Sequence, residues 1–104
     1  MDVTRQIELA HRYMKDFHKN DYSGHDIAHV ERVTSLAQTI SKCEQQGEYL
    51  IITLSALLHD VIDDKLTNKA NALDRLKIFL KNIRVSSDQQ QNIIYIIQHL
   101  SLIH

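Results

Sequence analysis

The stretch LSALLHDVIDD, residues 54–64, decides how the rest of this 104-residue chain must fold. Together with the apolar run at residues 49–52, it has no polar face until a histidine and an aspartate, His59 and Asp60, follow each other. A helix that is apolar all round lies in the middle of a bundle. The imidazole and the carboxylate are therefore carried toward the interior, where a carboxylate needs a hydrogen bond, an ion pair or a metal ion.

The composition favours an all-α fold. The chain has no proline and two glycines, and its leucines and isoleucines come in periodic blocks, which is typical of helices rather than strands and turns. A chain of 104 residues forms one domain and buries about two thirds of the surface that its unfolded form exposes. We therefore predict a single helical bundle of about five helices over residues 1–104.

Apolar periodicity and end signals give the predicted helix bounds. The first helix covers about residues 3–17 and the fourth about 69–82. The third runs from about residue 48 to residue 61 or 62. The second begins near Asp26, carries Leu36 on its apolar stripe and is closed by Gly47. The fifth begins after Ser86, which forms a capping-box pattern with Gln89.

Charge and cysteine content narrow the function classes. The formal net charge is −1, from 12 basic and 13 acidic residues that are interspersed along the chain. This pattern is unlike the basic surface of a nucleic-acid-binding protein or a membrane-surface helix. Cys43 is the one cysteine, the longest apolar run is too short to span a bilayer, and the N-terminus lacks a secretory layout. We expect a cytoplasmic protein with no nucleic-acid and no membrane partner.

Seven histidines are the compositional oddity, since about two or three are usual at this length. Histidine is the commonest metal ligand and the usual proton carrier near neutral pH. We expect His11, His18 and His104 to lie at the surface outside any cluster. Of the remaining four, His25 and His29 lie near the start of the predicted second helix, His59 lies near the end of the third, and His99 lies in the fifth.

The second helix is predicted to bring His29 close to the His59–Asp60 pair. The link between the second and third helices is short, so these helices should be antiparallel neighbours. The start of one then lies near the end of the other. His25, Asp26 and Arg32 lie three or four residues from His29, and side chains at that spacing share a helix face.

Two interpretations of this convergence follow from the residues alone. In the first, His29, His59 and Asp60 bind a divalent cation, and ligands of this type suit Mn, Mg, Fe, Ni or Zn. A metal would offset the cost of burying Asp60 and lower the pKa of a bound water. In the second, His59 and Asp60 are a structural pair between helices and His29 is a separate surface residue. Structural polar pairs are the commoner of the two in helical proteins.

Two segments resemble the HD-domain superfamily of metal-dependent phosphohydrolases. They are GHDIAHVERV, residues 24–33, and ALLHDVIDDK, residues 56–65. In the small bacterial HD proteins that the chain is most similar to, the first segment supplies a metal-binding histidine, which matches His29. The second supplies a paired histidine and aspartate, which match His59 and Asp60. The resemblance implies an HD-type bundle that uses a divalent metal to hydrolyse a nucleotide or another small phosphorylated substrate.

The resemblance also implies roles for neighbouring residues. Family members place a carboxylate one turn after the aspartate, where it orients water or moves a proton; this position and the next are Asp63 and Asp64. An alternative for Asp63 is a helix-end ion pair with Lys65. Candidates for holding substrate phosphates are the cationic residues Arg32, Lys65 and Lys69. His25 and Asp26 would orient His29, and Asp26 could equally be a helix cap.

One family feature has no counterpart here. HD enzymes take a last metal-binding aspartate from a later helix, and no residue of this chain matches it. We expect that the sequence lacks the C-terminal part of an HD domain. The alternative function is a non-catalytic binding module or an inactive fragment, in which apolar residues near the end would favour a homodimer or a partner helix: Leu100, Leu102 and Ile103.

Overall fold

Five helices make up the described part of the chain, which covers residues 1–19, 27–41, 46–61 and 69–103 of a computed structural model. The helices are α1 (Val3–His18), α2 (Ile27–Ser41), α3 (Gln46–Leu58), α4 (Lys69–Asn82) and α5 (Ser87–Ile103). These ranges contain no strand. The prediction of an all-α bundle is confirmed, and its radius of gyration of 12.8 Å is close to the ~12.9 Å expected at this length.

The third helix lies at the centre of the bundle. It packs against α1, α2 and α5, and its contact with α2 is the most extensive in the molecule. All six residues from 53 to 58 are buried, whereas a surface helix buries only one stripe. The central position that the apolar run predicts is confirmed.

The first helix buries every fourth residue. Asp2 caps its N-terminus by accepting the Arg5 N–H at 2.8 Å, which satisfies one of the unpaired amides of the first turn. The buried stripe reaches the end of the helix: Gln6, Ala10, Met14 and His18. The prediction that His18 lies at the surface is therefore wrong. This residue is 4% exposed, because it lies one turn after the buried Met14 on the same face of the helix.

The fourth helix ends in a Schellman motif. Arg84 has a left-handed backbone, with φ of 64°. The Val85 N–H donates to the Leu80 carbonyl at 3.1 Å, and the Arg84 N–H donates to the Lys81 carbonyl at 3.0 Å. These are the two hydrogen bonds of the motif, and its usual apolar contact is available because Leu80 and Val85 are both buried.

The fifth helix begins with the predicted cap. Ser86 Oγ accepts the Gln89 N–H at 3.2 Å, and its hydroxyl donates to Gln89 Oε1 at 3.1 Å. Two hydrogen bonds therefore join the serine hydroxyl to the glutamine. The capping interaction between these two residues is confirmed.

Two predictions, one about an apolar stripe and one about a helix end, are wrong. Leu36 is 64% exposed, and the buried face of α2 carries Val30 and Thr34. Gly47 does not close the second helix but lies in the first turn of α3. Residues 42–45, between these two helices, lie outside the described ranges.

None of the described helices has the length and apolar character needed to cross a membrane.

Candidate functional site

The end of α3 places His59 and Asp60 in a turn instead of in the helix. α3 ends at Leu58, and the Val61 N–H donates to the Leu58 carbonyl at 3.2 Å, a three-residue spacing. The predicted continuation of this helix to residue 61 or 62 is therefore wrong. An α-helix through this point would give the Ala56 carbonyl the N–H of Asp60, and here His59 Nδ1 lies 2.6 Å from that carbonyl oxygen.

The Ala56 carbonyl determines which ring nitrogen of His59 carries hydrogen. A carbonyl oxygen only accepts, so Nδ1 must be the N–H that donates to it. In a neutral ring, Nε2 is then left with its lone pair. A backbone carbonyl that fixes the ring of a histidine in this way is the usual support of a metal-binding imidazole.

The second ring nitrogen of His59 faces a carboxylate. Nε2 lies 3.2 Å from Asp60 Oδ2, and each side chain is 10% exposed. Two acceptor atoms at this distance repel each other unless a positive charge joins them. A proton on Nε2 is one solution, and a cation bound by both atoms is the other.

The separation of these two atoms suits a shared metal ion. Nitrogen and oxygen ligands bind divalent metals at about 2.0–2.2 Å, so neighbouring ligands of one ion lie roughly 2.9–3.4 Å apart. The observed 3.2 Å falls in this range. One imidazole nitrogen and one carboxylate oxygen supply two of the protein ligands that such a site needs, and the chemistry of this donor pair fits a divalent cation.

His29 lies on the first turn of α2, where it is exposed. The structure brings His59 and Asp60 together but does not add His29 to them. Among the residues that the structure describes, no three histidine, cysteine, aspartate or glutamate side chains form a group that could hold a metal ion. The convergence of all three ligands on one ion stays a prediction.

The remaining candidate residues are only partly described. Arg32 is exposed on α2, one turn after His29. Lys69 is the first residue of α4, and its side chain is not among those that the structure describes. The other candidates, which belong to the ranges 20–26 and 62–68, lie outside the described residues: His25, Asp26, Asp63, Asp64 and Lys65.

Sequence reasoning missed a second polar site, a groove between α1 and α2. His11 is paired with Glu31, with His11 Nε2 and Glu31 Oε2 2.9 Å apart, although the sequence predicted no partner for this histidine. The pair stands beside an open pocket of about 430 Å³. Polar residues recur at helical spacing on both helices here, and that pattern could have revealed the groove.

A comparison with curated proteins shows what the chain is similar to. The chain is similar to an uncharacterised protein, YpgQ, from Bacillus subtilis (strain 168), with 29% identity over 106 aligned residues. The alignment covers 97% of this chain and 49% of YpgQ, so the chain spans about half the length of that relative. No protein-family model matches the chain. The likeness extends over nearly all of the chain and carries no functional assignment.

Proposed function

We propose that this chain belongs to a divalent-metal-dependent phosphohydrolase of the HD type, which acts on a nucleotide or another small phosphorylated metabolite. The observation that carries the proposal is the arrangement of His59 and Asp60. The imidazole is oriented by a carbonyl at 2.6 Å, and its second nitrogen and the carboxylate oxygen are 3.2 Å apart. The resemblance of residues 24–33 and 56–65 to HD proteins supports the same function.

The proposed ligands are His29, His59 and Asp60. When bound, a divalent cation such as Mn or Mg supplies a water of lowered pKa and neutralises charge on a phosphoryl oxygen. The Ala56 carbonyl holds the His59 ring so that Nε2 points toward the Asp60 carboxylate. The Asp60 carboxylate would bind the same ion as the His59 nitrogen. Both side chains are nearly buried, so they keep bulk water away from the ion site.

The neighbouring residues have proposed roles in binding and proton transfer. Asp63 takes a proton from the attacking water, and Asp64 assists it. Arg32, Lys65 and Lys69 bind substrate phosphates, because a guanidinium can form two parallel hydrogen bonds to a phosphate and an ammonium acts as a point charge. His25 and Asp26 orient His29.

A metal-binding titration tests the proposal. The full chain, treated with chelator and then dialysed, is titrated with Mn²⁺ by isothermal calorimetry. Wild type should bind the ion, and His59→Ala should bind it at least about tenfold more weakly because an imidazole ligand is lost. The matched control is His99→Ala, which removes an exposed histidine from α5 and should bind as wild type does. Equal affinities of wild type and His59→Ala would overturn the proposal.

A turnover measurement extends the same test. Release of phosphate and pyrophosphate from a panel of nucleotides is measured with Mn²⁺, on this chain and on any longer form that contains it. Asp63→Asn should lower kcat by about 100-fold or more, the usual effect of losing a general acid–base group, with nearly unchanged Mn²⁺ affinity. Equal losses in turnover and in affinity would make Asp63 a ligand or a structural residue instead.

A non-catalytic binding module is the second candidate function. It is favoured by large apolar side chains that are more than half exposed on three different helices: Leu36, Ile78 and Tyr95. Sedimentation measures whether the chain self-associates, as a binding module with exposed apolar surface would, or stays a monomer. Self-association that Ile78→Ser abolishes, combined with no Mn²⁺ binding, would favour the module over the hydrolase.

A further inference from the structure

The groove between α1 and α2 lies on the opposite side of α2 from His29. Its α1 wall consists of Thr4, Ile7, Glu8 and His11. Its α2 wall consists of Glu31, Thr34, Ser35 and Gln38. Gln38 follows His29 by nine residues, which is two and a half helical turns. The groove therefore does not belong to the metal site proposed above, and the inference drawn from it is independent of that function.

Facing polar stripes explain why the groove exists. On each helix, the wall residues are spaced i, i+3, i+4 and i+7, so each wall is a single helix face. The His11–Glu31 pair joins the C-terminal end of the α1 wall to the N-terminal end of the α2 wall. The walls thus run antiparallel over roughly 10 Å. Contacts between α1 and α2 are sparse compared with those of α3, because polar stripes do not interdigitate as apolar ones do.

The floor of the groove is apolar. Leu57 of α3 and Ile7 of α1 line it, and both belong to or pack against the hydrophobic core. A pocket of about 430 Å³ is within the range of small-molecule sites, which combine an apolar surface with a few polar groups. The floor suits a small hydrocarbon body such as an aromatic ring or a short alkyl chain.

The charged groups of the groove are acidic. Two of the lining residues are glutamates, and none of the described lining residues is lysine or arginine. Glu8 Oε1 is bound by Arg5 and Arg12, at 3.0 and 3.3 Å. These arginines already neutralise Glu8, so this carboxylate is not the anchor for a ligand.

Glu31 is the acidic group available to a ligand. Its Oε2 pairs with His11, a residue that carries a positive charge only when protonated. Among the described residues, Glu31 Oε1 takes no hydrogen bond, and the side chain is 48% exposed at the pocket. An ammonium group is charged near neutral pH and forms a charge-assisted hydrogen bond to a carboxylate oxygen. A phosphate or carboxylate ligand would be repelled by the same group.

We propose that the α1–α2 groove binds a small organic ammonium ion, whose apolar body lies on Ile7 and Leu57 and whose charged end pairs with Glu31. The pairing uses Oε1 of the carboxylate, with Oε2 still held by His11. The hydroxyl groups of Thr4 and Ser35 at the walls accept the remaining ammonium hydrogens. Since Glu31 is half exposed, water screens the ion pair, and simple amines bind with a dissociation constant on the order of 1–10 mM.

The test is a titration of the ¹⁵N-labelled chain followed by NMR. Benzylammonium is the probe, and benzyl alcohol and phenylacetate are neutral and anionic ligands of similar size. Benzylammonium should shift the amide signals of residues 4–11 and 31–38. It should bind at least fivefold more tightly than benzyl alcohol, and phenylacetate should not bind. Equal binding of the alcohol, tighter binding of phenylacetate, or shifts confined to other residues would overturn the proposal.

Variants identify the anchor. Glu31→Gln keeps the shape and a hydrogen-bond acceptor but removes the charge, and should weaken benzylammonium binding at least fivefold. Asp74→Asn removes one charge from an exposed position on α4 and should change the affinity less than twofold. Equal losses in both variants would mean that the probe responds to net charge alone, which contradicts a site at Glu31.

Ser35→Lys tests the same anchor while leaving Glu31 in place. Ser35 follows Glu31 by four residues on α2, and a glutamate four residues before a lysine forms a favourable pair on a helix. The new ammonium should occupy Glu31, block benzylammonium binding and leave the melting temperature at or above that of wild type. Full benzylammonium affinity in this variant would contradict the proposed pairing.

Discussion

The ends of α3 and α4 solve the same problem in different ways. Each helix must satisfy the carbonyls of its last turn, and each is anchored by a fully buried leucine, Leu58 in α3 and Leu80 in α4. α4 closes with two backbone hydrogen bonds through the left-handed Arg84. In α3, the Ala56 carbonyl instead accepts a hydrogen bond from the ring of His59, and the other ring nitrogen faces the Asp60 carboxylate.

The two helix ends differ in whether a charged side chain is buried. The α4 end uses backbone groups and apolar contact, so it stabilises the fold without burying a charged side chain. The α3 end buries a His–Asp pair, and such a pair often adds nothing to stability compared with apolar residues of similar size. The metal site proposed above would offset the cost of burying this pair.

The largest effect is expected from removing the two anchoring leucines. Leu58→Ala and Leu80→Ala should each lower the free energy of unfolding by about 2–5 kcal/mol, since both side chains are fully buried. Urea denaturation measures both values. The exposed Leu36→Ala is the control and should change stability by less than about 1 kcal/mol. A loss below about 1 kcal/mol for Leu58→Ala alone would break the comparison, because the α3 end would then not be packed like that of α4.

A smaller effect of opposite sign is expected at the α4 end. Arg84 has φ of 64°, a conformation that costs a residue with a Cβ about 1–2 kcal/mol and costs glycine very little. Arg84→Gly should therefore raise the free energy of unfolding by about 0.5–1 kcal/mol after the larger entropy of the unfolded glycine is counted. Thermal unfolding measures this as a rise of a few degrees.

The control for this substitution lies on the same helix. Lys77→Gly changes an exposed residue in the middle of α4, where the backbone is right-handed, and should lower stability by about 1 kcal/mol. If Arg84→Gly lowered the melting temperature as Lys77→Gly does, the Schellman motif would not be the feature that ends this helix.

The smallest effect concerns Tyr13, whose ring stacks on Phe79 in the last turns of α4, with centroids 4.3 Å apart. Burial raises the pKa of the Tyr13 phenol, and the charge of Arg75 partly opposes this rise. The folded state thus keeps the proton at a pH where the unfolded chain has lost it. Stability is complete below the unfolded pKa of about 10 and falls as the pH rises through the folded value.

Replacement of this tyrosine isolates the pH effect. Tyr13→Phe should keep the ring stack and remove this part of the alkaline loss, measured as the difference in unfolding free energy between about pH 8 and pH 11. Tyr95→Phe, at an exposed site on α5, should leave that difference as in wild type. An unchanged alkaline loss in Tyr13→Phe would show that burial of this phenol does not set it.

Some parts of the fold were predictable because their signals are local. The bounds of α4 and the Ser86–Gln89 cap of α5 follow from residues within one or two turns of each other. The central position of α3 follows from an apolar pattern that leaves no polar face. The adjacency of His59 and Asp60 also follows from the sequence, but their hydrogen-bond geometry does not.

Other parts depended on which neighbour each helix meets. Leu36 was predicted in the core and is exposed, and His18 was predicted at the surface and is buried. Periodicity indicates that a helix has a buried face but leaves its rotation uncertain by a residue or more, and packing against the other helices settles it. The groove between α1 and α2 was also missed because it depends on helix rotation. A polar stripe lines a groove only when the polar stripe of a neighbouring helix faces it.

The helical class, the central helix and the histidine and aspartate at its end can all be read from the amino-acid sequence, because helix formation and apolar burial depend on residue types at fixed short spacings. Three features emerge only when the helices pack: where α3 stops, which nitrogen of His59 is held by the Ala56 carbonyl, and that Glu31 and His11 meet across two helices. Those outcomes depend on atoms that are distant in the chain, or on competition between a side chain and the backbone for one carbonyl.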